Sequence, residues 1–96
     1  MRHTHRKDEI QDVVVSYLRA SGVSVSVIGK PVDLMIGFRG KTWPLELKSG
    51  HKGYAKALNE RQQKFKDNWS GEVLVFHSLQ DAIDWIGAVK CADFHP

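Results

Sequence analysis

Apolar positions at Ile10, Val13, Val14, Tyr17 and Leu18 recur at three- and four-residue intervals, which predicts a helix from about Asp8 to Ala20 with one buried stripe. Ser21-Gly22 follows and supplies a C-terminal stop. From Val23 to Ile28 valine and serine alternate, the period of a half-buried strand. Gly29-Lys30-Pro31 breaks it. Val32–Phe38 and Thr42–Lys48 read as two further strands around a turn at Arg39-Gly40. Ser49–Ala57 is polar and glycine-bearing, a loop. Leu58–Trp69 is helical in pattern, with Leu58, Gln62, Phe65 and Trp69 on one stripe, and Glu72–His77 is a short buried strand. Ser78–Gly87 closes the pattern as a helix with Leu79, Ala82, Ile83 and Ile86 inward; Ser78 and Asp81 have capping-box spacing. The order α-β-β-β-α-β-α predicts an α/β fold, a small mixed sheet flanked by helices. With 96 residues the chain reads as a single domain, residues 1–7 and 89–96 being expected tails.

Composition narrows the setting. Hydrophobic residues are 42% and charged residues 26%, which excludes a disordered, collagenous or coiled-coil chain. No apolar run approaches the roughly 18 residues of a membrane span, and no apolar signal core follows the N-terminus. A lone cysteine, Cys91, cannot form an internal disulfide, so a reducing cytoplasm is the expected location. The net charge of +3 is mild, but six of the basic residues (Lys48, Lys52, Lys56, Arg61, Lys64, Lys66) crowd into one stretch with a single acid, Glu60. That distribution suits either a solvated face or a polyanion partner.

Four polar residues break the pattern or stand out from it. Asp33 interrupts the apolar run Val32–Ile36, where it could face water, bond to backbone at the strand start, or act chemically. Glu46 and Lys48 share one face of their strand while Leu45 and Leu47 share the other, an arrangement also common on solvated sheets. If Arg39-Gly40 is a two-residue hairpin turn, Phe38 pairs with Lys41, and counting back places Asp33 opposite Glu46. Their Cβ atoms would then lie roughly 5 Å apart. Like charges so placed destabilise a sheet unless neutralised, and Mg²⁺ or Mn²⁺ would do this through hard oxygen ligands. A three-residue turn would instead send the carboxylates to opposite faces. Gln62 is polar on an otherwise apolar stripe; it suits the third helical position of a capping box begun by Asn59, and the same placement would bring it near the carboxylates.

The ordered set Pro31-x-Asp33, Glu46-x-Lys48 and a following helix with Gln62 resembles the PD-(D/E)XK nuclease superfamily, and more closely its VRR-NUC-like members, small proteins often carried by phages. The resemblance runs from about Arg6 to Ile86. It implies a restriction-endonuclease-like core and metal-dependent DNA endonuclease activity, with branched or Holliday-junction DNA among the substrates. It further implies a homodimer and, for a phage protein, the host-cell cytoplasm. Asp33, Glu46, Lys48 and Gln62 would be catalytic, with Gln63 an alternative to Gln62. Asp33, Glu46 and the Leu47 backbone carbonyl would hold Mg²⁺ or Mn²⁺. The family's first-helix acid has no clear match; Gln11 or Glu9, with Asp8 and Asp12 nearby, occupies that region. Lys52, Tyr54, Lys56, Lys64 and Lys66 would contact the nucleic-acid backbone. The competing expectations are a non-catalytic nucleic-acid-binding module of the same fold and a protein–protein adaptor. His3, His5, His51, His77, His95 and Cys91 carry no ligand or nucleophile pattern, and Trp43, Trp69 and Trp85 are expected in core or rim packing.

Overall fold

The computed structural model describes residues 6–48 and 58–93. Within them are α1 (Arg6–Ala20), β1 (Ser24–Val27), β2 (Leu34–Phe38), β3 (Lys41–Leu47), α2 (Glu60–Asn68), β4 (Leu74–Phe76) and α3 (Leu79–Asp93). The result is a small mixed α/β domain in the expected element order. The sheet order is β1-β2-β3-β4; the first three strands are antiparallel and β4 lies parallel to β3.

Local chemistry sets the boundaries. α1 ends where Gly22 adopts φ 92°, a conformation open to glycine without a Cβ penalty. The Gly22 N–H then donates to Arg19 at 3.1 Å and the Val23 N–H to Leu18 at 2.9 Å, which together satisfy helix-end carbonyls. This stop folds β1 back along α1, and the Arg19 guanidinium donates to the Val25 carbonyl at 2.9 Å. The hairpin turns on Arg39 (φ 55°) and Gly40 (φ 82°), the two positive values that a tight two-residue turn between twisted strands requires. Phe38 therefore pairs with Lys41 and Leu34 with Leu45. Pro44 tolerates its place in β3 because of what flanks it. Lys48 donates its N–H to Phe76, so alternate residues of β3 face β4; Pro44 falls on that edge, but β4 begins only at Leu74, opposite Leu45.

One face of the sheet is the core. Leu34, Ile36, Phe38, Leu45, Leu47, Leu74 and Phe76 point to α1 (Val14, Val15, Leu18) and α3 (Ala82, Ile86). Trp85 lies against three rings, with centroids 5.0 Å from Trp43, 5.8 Å from Phe38 and 6.2 Å from Phe76. The helix faces differ in detail from the sequence expectation. Val13 and Ile83 are exposed, while Val15 and Trp85 turn inward. A three-and-four spacing admits two adjacent stripes on each helix, and the larger surface of Trp85 decides which one packs. α3 also continues past Gly87 to Asp93, so residues 89–93 are helix rather than tail, and Val89 packs against the core. Arg6 and Lys7 likewise belong to α1. Ser78 Oγ accepts from the Asp81 N–H at 3.4 Å, but the Asp81 carboxylate accepts the His77 N–H at 2.6 Å rather than that of Ser78, so the cap reaches one residue further back than expected.

The aromatic cluster generates a test of the packed face. Trp85→Ala should destabilise by about 3 kcal/mol, in the range of large-to-small core changes, and Ile83→Ala by under about 1 kcal/mol. Urea denaturation of the two variants compares them directly; equal losses would contradict the observed face.

Candidate functional site

Alternation along β3 sends Pro44, Glu46 and then Lys48 away from the helix-covered face. Asp33 immediately precedes β2, one step beyond the Leu34–Leu45 pair, so the same register sets it opposite Glu46. Both carboxylates are buried, Asp33 at 6% exposure and Glu46 at 2%. Ionisable groups at that depth need partners. The Leu47 N–H donates to Asp33 Oδ2 at 2.8 Å, so this aspartate extends the ladder past the strand start with its side chain. Bonding to backbone was one of the expected roles for Asp33, and it is met. A residue's N–H and C=O leave a strand on the same edge, so the Leu47 carbonyl also lies on the Asp33 side.

Glu46 is reached from α2. Gln62 Nε2 donates to Glu46 Oε2, and Gln62 Oε1 accepts from Lys48 Nζ at 3.2 Å. The same oxygen accepts the Asn59 N–H at 3.0 Å while Asn59 Oδ1 accepts the Gln62 N–H at 2.9 Å, a complete capping box. Gln62 thus closes the helix start and bridges Glu46 and Lys48 at once, because the third helical position points back along the chain that enters the helix. Gln63, the alternative, instead donates to Asp67 at 2.9 Å on the exposed side of α2.

The remaining expected residues divide by position. Gln11 is half-buried on the α1 stripe of Val15 and Leu18. Since β1 runs back along α1 and its last residue Val27 pairs with Leu34, the N-terminal half of α1 lies towards the carboxylate end of the sheet. Asp12 is exposed. The side chains of Asp8 and Glu9 lie outside the described residues, as do Lys52, Tyr54, Lys56, His51, His3, His5 and His95. Lys64 and Lys66 are both exposed on α2, but two residues apart they project from different sides of the helix. Arg61, three residues before Lys64, shares its side, and the two line one open cleft with Phe65 and Trp69.

Two features had little signal in the sequence. The β3–β4 register continued one step would bring His77 beside Lys48, although they are 29 positions apart in the chain; a parallel partner cannot be read from local pattern. His77 Nδ1 lies 3.6 Å from the Asp81 carboxylate, so the ring leans to the start of α3 at the rim of the site. The second is the Phe65–Trp69 pair. The apolar stripe of α2 buries no residue, and Trp69 remains 44% exposed. Among the described residues no group of three or more His, Cys, Asp or Glu side chains could hold a metal. Two carboxylates and a carbonyl are the donors present, all hard oxygens. Each carboxylate has about four lone-pair sites, so one accepted hydrogen bond does not exhaust it. Mg²⁺ commonly keeps several waters and takes one or two carboxylates, which this donor set fits. Cys91 is a free, exposed thiol.

Because Gln62 serves three partners, its loss should exceed that of an ordinary surface residue. Gln62→Ala removes one helix cap bond and the donor to a buried carboxylate, for an expected loss of about 2–3 kcal/mol. Gln63→Ala should cost under about 0.5 kcal/mol. Chemical denaturation of both proteins checks this; equal effects would deny Gln62 its bridging role. No family model, curated protein or solved structure was found to match the chain.

Proposed function

We propose that the chain is a metal-dependent nuclease of the PD-(D/E)XK type that hydrolyses phosphodiester bonds in DNA. The observation that carries this reading is the joining of Asp33, Glu46, Lys48 and Gln62 at one end of one sheet face, from three separate segments. Hydrolysis joins a water oxygen to phosphorus and breaks the bond to a sugar oxygen, which departs as a hydroxyl with a proton that originates from the water. Asp33, Glu46 and the Leu47 carbonyl would hold Mg²⁺ or Mn²⁺. When bound, the ion acidifies water and polarises a phosphate oxygen. The Lys48 ammonium supplies positive charge where the phosphate gains negative charge in the transition state. Gln62 fixes that ammonium through its Oε1, and its hold on Glu46 orients the carboxylate from the opposite side. Arg61, Lys64 and Lys66 on α2, with Lys52, Tyr54 and Lys56, supply sequence-independent contacts to the phosphate backbone, so affinity falls steeply with salt. One such site cuts one strand, and paired cuts in branched DNA call for a homodimer. The setting that accords with this reading is the cytoplasm, and no described helix is long and apolar enough to cross a membrane.

A second reading has an observation in its favour. Asp33 and Glu46 each accept a hydrogen bond from the protein itself, so both have structural work. A nucleic-acid-binding module with this fold and no catalysis would keep them for that reason.

Metal linkage separates the readings. An ion that binds only the folded chain stabilises it by about 2.7 kcal/mol at a hundred times its Kd. Mn²⁺ should therefore raise the melting temperature of the wild type by roughly 10 °C or more. Asp33→Asn keeps an acceptor for the Leu47 N–H but should lose most of that rise. An equal rise in the variant would remove Asp33 from the metal site, and no rise in either protein would favour the binding module. For chemistry, Lys48→Ala with saturating Mn²⁺ should cut plasmid and branched DNA at least about a hundredfold more slowly than wild type, as expected for the loss of a transition-state contact. Full cleavage by that variant would overturn the assignment.

A further inference from the structure

The face of α2 that carries Gln62 continues into a second surface. Phe65 and Trp69 stack with centroids 5.2 Å apart and planes at 30°. With Pro31, Arg61, Lys64 and Asn68 they line an open cleft of about 370 Å³. That lies at the small end of ligand-sized cavities and suits a single ring system rather than a folded partner. The Trp69 ring also sits close to the chain behind it: a Cβ at Gly71 would lie 3.2 Å from Trp69 Nε1, tighter than ordinary van der Waals contact. An exposed aromatic plane held in this way, with two cations and one amide on its rim, matches a flat π system that carries an adjacent negative charge.

We propose that this cleft holds one unpaired nucleobase of a DNA strand, stacked on Phe65 and Trp69, with its flanking phosphate against Arg61 and Lys64. Base–aromatic stacking is tolerant of sequence because every base has a π face, and the rim cations meet the charge that each base brings with its backbone. Asn68 offers both a donor and an acceptor to the base edge. Within a duplex those faces are covered by neighbouring bases, so the cleft selects single-stranded or branched DNA over intact duplex. The place of this base relative to the cut rests on the function proposed above. Pro31 ties the cleft to the segment that carries Asp33. Phe65 and Trp69 lie three and seven residues beyond Gln62, which is about 4.5 Å and 10 Å of helix rise. The stacked base therefore lies within a few nucleotides of the phosphate at the carboxylates.

The test is anisotropy titration of fluorescein-labelled oligo-dT and of a labelled duplex of equal length, in EDTA so that no strand is cut. Trp69→Ala should weaken oligo-dT binding fivefold or more, in line with the loss of one stacked base. Trp69→Phe should stay within about twofold of wild type, and duplex affinity should change by less than about twofold in both. Lys64→Glu, which leaves the rings intact, should also weaken oligo-dT binding. Unchanged oligo-dT binding by Trp69→Ala, an equal loss for duplex, or no oligo-dT binding by wild type would each overturn the inference. The outcome is independent of catalysis. Trp69-dependent strand binding without cleavage of any DNA in Mn²⁺ would sink the nuclease reading alone, whereas cleavage without Trp69-dependent binding would sink this one alone.

Discussion

A carboxylate buried in the middle strands of a sheet has to be bonded, and Glu46, at 2% exposure, is bonded to a helix with no fully buried residue of its own. α2 does not dock through an apolar stripe. Gln62 holds it to the sheet face through hydrogen bonds to Glu46 and Lys48. The usual division, in which burial supplies stability and polar groups supply function, does not apply on this face. The contacts that gather the candidate chemistry are the ones that fix the helix. On the other face the arrangement is ordinary: α1 and α3 close over leucine, isoleucine, valine and aromatic side chains. The protein therefore separates an apolar layer that stabilises the sheet from a polar layer that gathers the candidate site residues.

The polar attachment has an energetic counterpart. A hydrogen bond to a charged group contributes about 1.5–3 kcal/mol, well below what several buried large side chains supply. Among the described residues α2 is thus held to the sheet by hydrogen bonds rather than by a buried apolar stripe. This suits the strand-binding surface proposed for α2. It also accords with the incomplete burial of Phe65 and Trp69, which would form the docking stripe of a conventional amphipathic helix.

Much of this was legible in the sequence where local geometry leaves few choices. Arg39-Gly40 between two apolar runs specified a two-residue turn, and that turn alone set Asp33 against Glu46. Gln62 was legible twice, as a polar break in an apolar stripe and as a capping partner of Asn59. Features that depend on tertiary competition were not. Ile83 and Trp85 are both apolar and two residues apart, and only the aromatic pocket formed by Phe38, Trp43 and Phe76 decides between them. The proximity of His77 to Lys48 arises from a parallel crossover, which leaves no local trace. The stripe of α2 suggests apolar packing yet buries no residue, because periodicity reports a face but not what lies opposite it. The restriction-endonuclease-like core and its metal remain inferences from motif and geometry together.

The alternation of Leu45, Glu46, Leu47 and Lys48 couples two properties that could otherwise vary separately. A one-residue slip of β3 against β2 would turn Glu46 and Lys48 away from their partners, but it would also turn two fully buried leucines out to solvent. Such a slip therefore disrupts the core and the site together. It does not give a stable protein with a disordered site. Purifying selection on foldedness alone would keep the polar residues aligned, even through periods when their chemistry is not under test.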